Sequence, residues 1–151
     1  MSVVPAATRR RALGLCWSST TTAYLSGWRA PTTKGTARGR GGQVLGYACS
    51  QIHRDQEAFR ETVEVSIGLV KGSRGQGLGT SLYRALFGLL ADEPIHAVLA
   101  GIALPNDASV ALHRRFGFSD VGIFREYAVK NGQYISSLWM QRLQSDPLRV
   151  R

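Results

Sequence analysis

Arg74-Gly75-Gln76-Gly77-Leu78-Gly79 stands between a strand-like run, Thr62 to Val70, and a helix-like run, Thr80 to Ala91. Its three glycines strip β-carbons from one side of a turn and permit backbone angles that other residues resist. A strand that feeds such a turn into a helix leaves several N–H groups unpaired and pointing one way. With the positive end of the helix dipole behind them, they form a nest for phosphate oxygens. The dinucleotide fingerprint needs G-x-G-x-x-G, whereas these glycines are spaced G-x-G-x-G. The nucleoside-triphosphate loop needs Gly-Lys-Ser/Thr, whereas Gly77 is followed by Leu78-Gly79-Thr80. Both motifs fail, and a glycine-rich turn with no ligand is the plain alternative.

Outward from the loop, Thr62 to Val70 alternates and is rich in β-branched residues, as a strand requires. Leu82, Leu86, Leu89 and Leu90 recur at helical spacing. Ala97 to Leu104 is a continuous apolar run that suits a strand covered on both faces. Asn106 is a good N-cap for a second helix, with Val110, Leu112 and Phe116 as its apolar residues and Gly117 as its stop. Residues 121–129 and 134–142 read as two strands around Lys130-Asn131-Gly132-Gln133, where Asn-Gly marks a hairpin. Val44 to Ser50 reads as one more strand. The order from residue 43 is β-β-α-β-α-β-β, an α/β arrangement ending in an antiparallel hairpin.

Residues 1–42 have another texture. They are rich in Arg, Ala, Ser, Thr and Gly and show no sustained periodicity. The formal net charge of +9 originates here: residues 1–54 hold eight basic residues and no acidic one, while the other 97 hold eleven basic and ten acidic. Low hydrophobicity with unopposed charge predicts a solvated, disordered segment. An organelle transit segment and a mis-assigned or frame-shifted start are the other readings of this composition. Since the excess charge lies outside the part that looks folded, nucleic acid is not the expected partner. No run reaches the roughly 18 apolar residues of a membrane helix. Cys16 and Cys49 fit neither a disulfide framework nor a metal site, so a reduced, cytoplasmic protein without metal is expected.

R-x-x-G-x-G resembles the pyrophosphate loop of the GNAT acetyltransferase superfamily. Thr62-Val63-Glu64, Leu104-Pro105-Asn106, Ser109 to His113, Gly117-Phe118, Val121-Gly122 with Arg125, and Trp139-x-Gln141 narrow this further. Together they look like the phosphinothricin and methionine sulfone/sulfoximine N-acetyltransferase family, over residues 43–143. The resemblance implies the GNAT fold, a mixed sheet flanked by helices, here lacking a recognisable first strand and first two helices. Residues 144–151 would then be a C-terminal tail. Two further departures are Ser136, where the family usually has Asp, and His53, where it usually has Phe before the Arg.

What the resemblance implies for the site is specific. Acetyl-CoA would be the co-substrate, with its diphosphate facing Arg74, Gly75, Gln76, Gly77, Leu78 and Gly79. Ile67, Leu69 and Asn106 would hold the pantetheine arm. Glu64 would be the base that frees the acceptor amine, and His113 the donor to the departing thiolate. Arg54, Val63 and Glu64 would contact a small-molecule amine. Glu64 shares a strand face with Thr62 and Ser66, opposite Val63, Val65 and Ile67. The residues alone also allow Glu64 to be a surface carboxylate, His113 an ordinary helix residue and Arg54 a solvated charge. Transfer would be direct, without a covalent enzyme intermediate. Dimers are common among such proteins, so a homodimer is a candidate assembly. A relic of such an enzyme with weak or no activity, or one acting on a protein N-terminus, are the alternatives.

Overall fold

A computed structural model describes residues 3–5, 34–40 and 43–145. Seven strands form one sheet in the order β1-β2-β3-β4-β5-β7-β6. They are β1 (Val3–Pro5), β2 (Gly35–Arg40), β3 (Gln43–Ile52), β4 (Thr62–Leu69), β5 (Ala97–Ala103), β6 (Ser119–Lys130) and β7 (Gln133–Leu143). Helix α1 (Leu78–Leu90) follows β4, and α2 (Asp107–Arg115) follows β5. Only β4 and β5 are parallel; every other neighbouring pair is antiparallel.

Alternation sorts the sheet into two faces. Ala48 of β3, Val63 and Val65 of β4, Val98, Ala100 and Ile102 of β5, and Leu138 and Met140 of β7 are buried on one of them. Against that face pack Leu82, Tyr83, Leu86, Phe87 and Leu90, which α1's pitch brings to one side. Leu89, expected in this stripe, is 45% exposed because it falls outside the buried arc. Strand β5 is not covered on both faces as its apolar run suggests: Gly101 and Ala103 are exposed.

Helix α2 begins where the sequence indicates, with the Asn106 side chain accepting from the Ser109 N–H (3.3 Å). It ends in a Schellman turn: the N–H of Phe118 reaches the His113 carbonyl and that of Gly117 reaches Arg114, both at 3.1 Å. In the β6–β7 hairpin Asn131 and Gly132 have φ of 51° and 74°, the paired positive values of a type I′ turn.

Strand β2 lies inside the segment read as solvated. Its inward position Thr36 is buried opposite Ala48, and it pairs along β3 with one register shift at Arg38/Gly39. An inward Thr in a Gly- and Arg-rich stretch leaves no apolar alternation to read, so long-range pairing decides its state. The remaining readings of residues 1–42 and of residues 146–151 lie outside the described residues. Among the described residues no helix is long and apolar enough to cross a membrane, and no His, Cys, Asp or Glu cluster is placed to hold a metal.

Candidate active site

Strands β4 and β5 pair only over Thr62–Glu64 against Ala97–Leu99. Beyond Glu64 they part, while β4 keeps its pairing with β3 as far as Leu69 and β5 keeps its pairing with β7. From Val65 onward one edge of β4 therefore lacks a strand partner. At the mouth of this split lies a groove of about 390 Å³, lined by Ile67, Leu69, the loop from Ser73 to Thr80, Asn106 and the near side of α2.

The loop is shaped as a donor cradle. Gly77 caps α1 at φ 74°, and the first hydrogen bond of the helix runs from Ser81 N–H to the Gly77 carbonyl (3.0 Å). The N–H groups of residues 78–80 consequently have no partner within the helix, and they sit at its positive end. A β-carbon on Gly75 or Gly77 would meet nothing within 4 Å, so the space above the loop is open to a ligand. Gly79 serves another purpose: a β-carbon there would lie 3.1 Å from Leu112 Cδ2, so its absence lets α1 start close against α2. Arg74 and Arg115 both line the groove and are exposed, one from each wall. Open donors, a helix dipole and two guanidinium groups suit a polyphosphate.

On the opposite face of the sheet, Glu64 is half-buried and lies opposite Gln51 on β3. His53 Nδ1 is 3.7 Å from its Oε2. The rings of Phe59 and Trp139 stand edge-on to the His53 imidazole, with centroids 5.6 and 6.2 Å away. Arg54 lies over the Phe59 ring at 5.3 Å. Another hollow of about 540 Å³ opens beside Glu57, Arg60, Glu61 and His96. There the guanidinium of Arg60 already engages both glutamates, at 3.7 and 3.1 Å, so the groove is the better ligand site.

Comparison with known proteins agrees with this geometry. Residues 7–118 match the model of the Acetyltransferase (GNAT) family. The chain belongs to the GNAT family. It is 44% identical over 100 residues to a phosphinothricin N-acetyltransferase of Streptomyces coelicolor, covering 66% of this chain and 58% of that one. It is 40% identical over 108 residues to an L-methionine sulfoximine/L-methionine sulfone acetyltransferase of Pseudomonas aeruginosa, covering 72% and 62%. The chain thus spans about three-fifths of the length of these curated relatives. A crystal structure of a phosphinothricin acetyltransferase from Sinorhizobium meliloti in complex with AcCoA superposes with a TM-score of 0.67 at 31% identity, covering 74% and 60%.

Within this GNAT domain the expected cofactor residues come together, with one exception. Ile67, Leu69, Arg74, Gly75, Gly77, Leu78, Gly79 and Asn106 all line the groove. The Gln76 side chain folds back, donating to the Gly72 carbonyl (3.2 Å) and bracing the loop, while the contact expected of this residue is through its backbone N–H.

Two other expectations need correction. Val63 is 2% exposed and points into the core, because odd-numbered β4 residues face the helices; its side chain cannot touch an acceptor. His113 is 3% exposed, and both its ring nitrogens are occupied. A carbonyl can only accept, so Nδ1–H donates to the Ser109 carbonyl (2.7 Å), and Nε2 accepts from the Tyr83 hydroxyl (2.6 Å). Burial pushes its basicity below the usual histidine range. His113 therefore joins α1 to α2 in the core and is not poised to protonate a thiolate.

The sequence reading also missed residues. Ala108, Ala111, Leu112 and Arg115 line the groove from α2. Their spacing after the Asn106 cap, three or four residues apart, was the available signal. His53 and Trp139 stood out only as a departure and a motif residue, and Phe59 not at all, because no local pattern shows that His53 lies beside Glu64 with Phe59 and Trp139 against its ring.

Proposed function

We propose that this chain is an acetyl-CoA-dependent N-acetyltransferase acting on the free amine of a small amino-acid analogue. Phosphinothricin, methionine sulfone and methionine sulfoximine are the first candidates. The observation that carries the reading is the groove itself. Open helix-terminal N–H groups, two arginines and the unpaired β4 edge beside Ile67 and Leu69 all line it. These groups fit the diphosphate and the amide-bearing arm of acetyl-CoA, which supplies the acetyl thioester when bound. An extended amide chain can pair along an open strand edge as an added strand does.

The remaining chemistry falls to the chain's own residues. An ammonium cannot attack a carbonyl until it loses a proton, and Glu64 is a half-buried carboxylate in the last residue pair before the split. Its carboxylate takes that proton, directly or through water. Arg54, held over Phe59, is suited to pair with the acidic group of the acceptor.

The test is release of free CoA thiol from acetyl-CoA with each of those three amines, an alanine-starting peptide, or no acceptor. Thiol release that depends on one of the amino-acid analogues supports the reading. Release only with the peptide redirects it to protein N-termini. Binding of acetyl-CoA without release for any acceptor overturns it.

A further inference from the structure

The reading above uses Glu64 alone at the acceptor end, yet Glu64 has a neighbour. His53 stands where the family resemblance places Phe, and it keeps the ring packing of an aromatic residue between Phe59 and Trp139. Unlike Phe, it brings a nitrogen. Nδ1 is fully buried, has no hydrogen-bond partner, and lies 3.7 Å from Glu64 Oε2. Trp139 Nε1, on the neighbouring ring, is likewise buried and unpartnered. Buried polar groups without partners are costly and uncommon, and a role in function is one explanation for such a group.

We propose that His53 is a positioning residue for Glu64, donating an Nδ1–H hydrogen bond to one carboxylate oxygen and leaving the other to face the acceptor amine. A carboxylate only accepts, so the imidazole must carry a proton on Nδ1 to bond to it. The gap of 3.7 Å is slightly too long for a hydrogen bond, and such contacts commonly tighten when substrate enters. The side chains are 16% and 25% exposed, so the bond would form in surroundings where it is little weakened by water. Rotation of the imidazole is opposed by the two edge-on rings, which fixes the direction of the donor. The inference rests on the assignment of Glu64 as base and adds the group that aims it.

The experiment uses the full chain with 15N-labelled histidine. In the wild type, His53 is expected as the Nδ1–H tautomer. In Glu64→Leu, which fills the space but offers no acceptor, it should revert toward the Nε2–H form that free imidazole prefers. A wild-type His53 already in the Nε2–H form, or a tautomer indifferent to Glu64→Leu, overturns the proposal whether or not an acceptor has been found.

Kinetics supply the second arm. His53→Phe retains the ring packing and should lower kcat about 10- to 100-fold while leaving the KM for acetyl-CoA unchanged. Added imidazole should partly restore His53→Ala, whose cavity lies between the Phe59 and Trp139 rings. If Glu64→Gln slows turnover and His53→Phe does not, His53 merely packs and the base assignment survives. If neither variant slows turnover, Glu64 is not the base and the proposal falls with it.

Discussion

Val63 and Glu64 are adjacent in sequence and face opposite sides of the sheet, one into the core and one toward a half-buried polar site. Period-two alternation made that division readable, and it also shows why the Val63 side chain does not face an acceptor. Replacing Glu64 by Gln keeps the shape and removes the carboxylate proposed as the base. Turnover is expected to fall about 100-fold, with acetyl-CoA binding by calorimetry unchanged; equal turnover across the pH range would remove the role. His113 was less legible, because a polar residue followed by two arginines on a short helix looks solvated. Only the tertiary structure shows that the Tyr83 hydroxyl and Ser109 carbonyl hold it in the core. This placement predicts a pH effect with a definite sign. Burial lowers the folded-state proton affinity from the ordinary 6.5, so the unfolded chain binds this proton more readily. Stability should therefore fall as pH drops through and below about 6.5. His113→Phe should flatten that part of the profile, while costing about 1–3 kcal/mol by leaving the Tyr83 hydroxyl unpaired. Urea melts at several pH values measure both, and an unchanged slope in the variant would exclude His113 as the source.

At the scale of elements, local signals were strongest where backbone conformation depends on one or two residues. Asn131-Gly132 set the hairpin turn, Asn106 capped α2, and the glycine loop opened α1. Strand β2 and the contacts around His53 were hidden because both depend on partners distant in sequence. The loop offers a test of its own. Gly77 holds φ 74° in open space, so an alanine there would clash with nothing and suffer only from its backbone conformation. Gly77→Ala should cost on the order of 1 kcal/mol in a thermal or urea melt. It should also weaken acetyl-CoA binding several-fold, because relaxation of the loop turns its N–H groups away from a common centre. Wild-type affinity in a destabilised Gly77→Ala would show that the ligand does not use this cradle.

For the whole molecule, the split between β4 and β5 is the dominant feature. Three residue pairs join β4, the last strand on the β3 side, to β5, the first on the β7 side. Helix α1 packs across the core face, and the groove occupies the rest of the gap. A ligand bound along that gap touches β4, the loop and α2 together, so its binding energy should stabilise the fold as well as the site. At about 100 times its dissociation constant, such a ligand contributes roughly 2.7 kcal/mol. For a chain of this length that corresponds to a rise in melting temperature on the order of 10 °C. Hydrogen exchange should slow in Val65–Leu69 of β4 and in α2, while β6, at the far edge of the sheet, stays unchanged. The exposed Arg74 and Arg115 guanidinium groups would meet phosphates through solvent, so the rise should shrink as salt goes from about 0.05 to 0.5 M. A cooperative melt that ignores acetyl-CoA would mean that the groove is folded but does not bind. A salt-independent rise would place the affinity in the pantetheine arm, along the open edge of β4, and not in the arginines at the mouth.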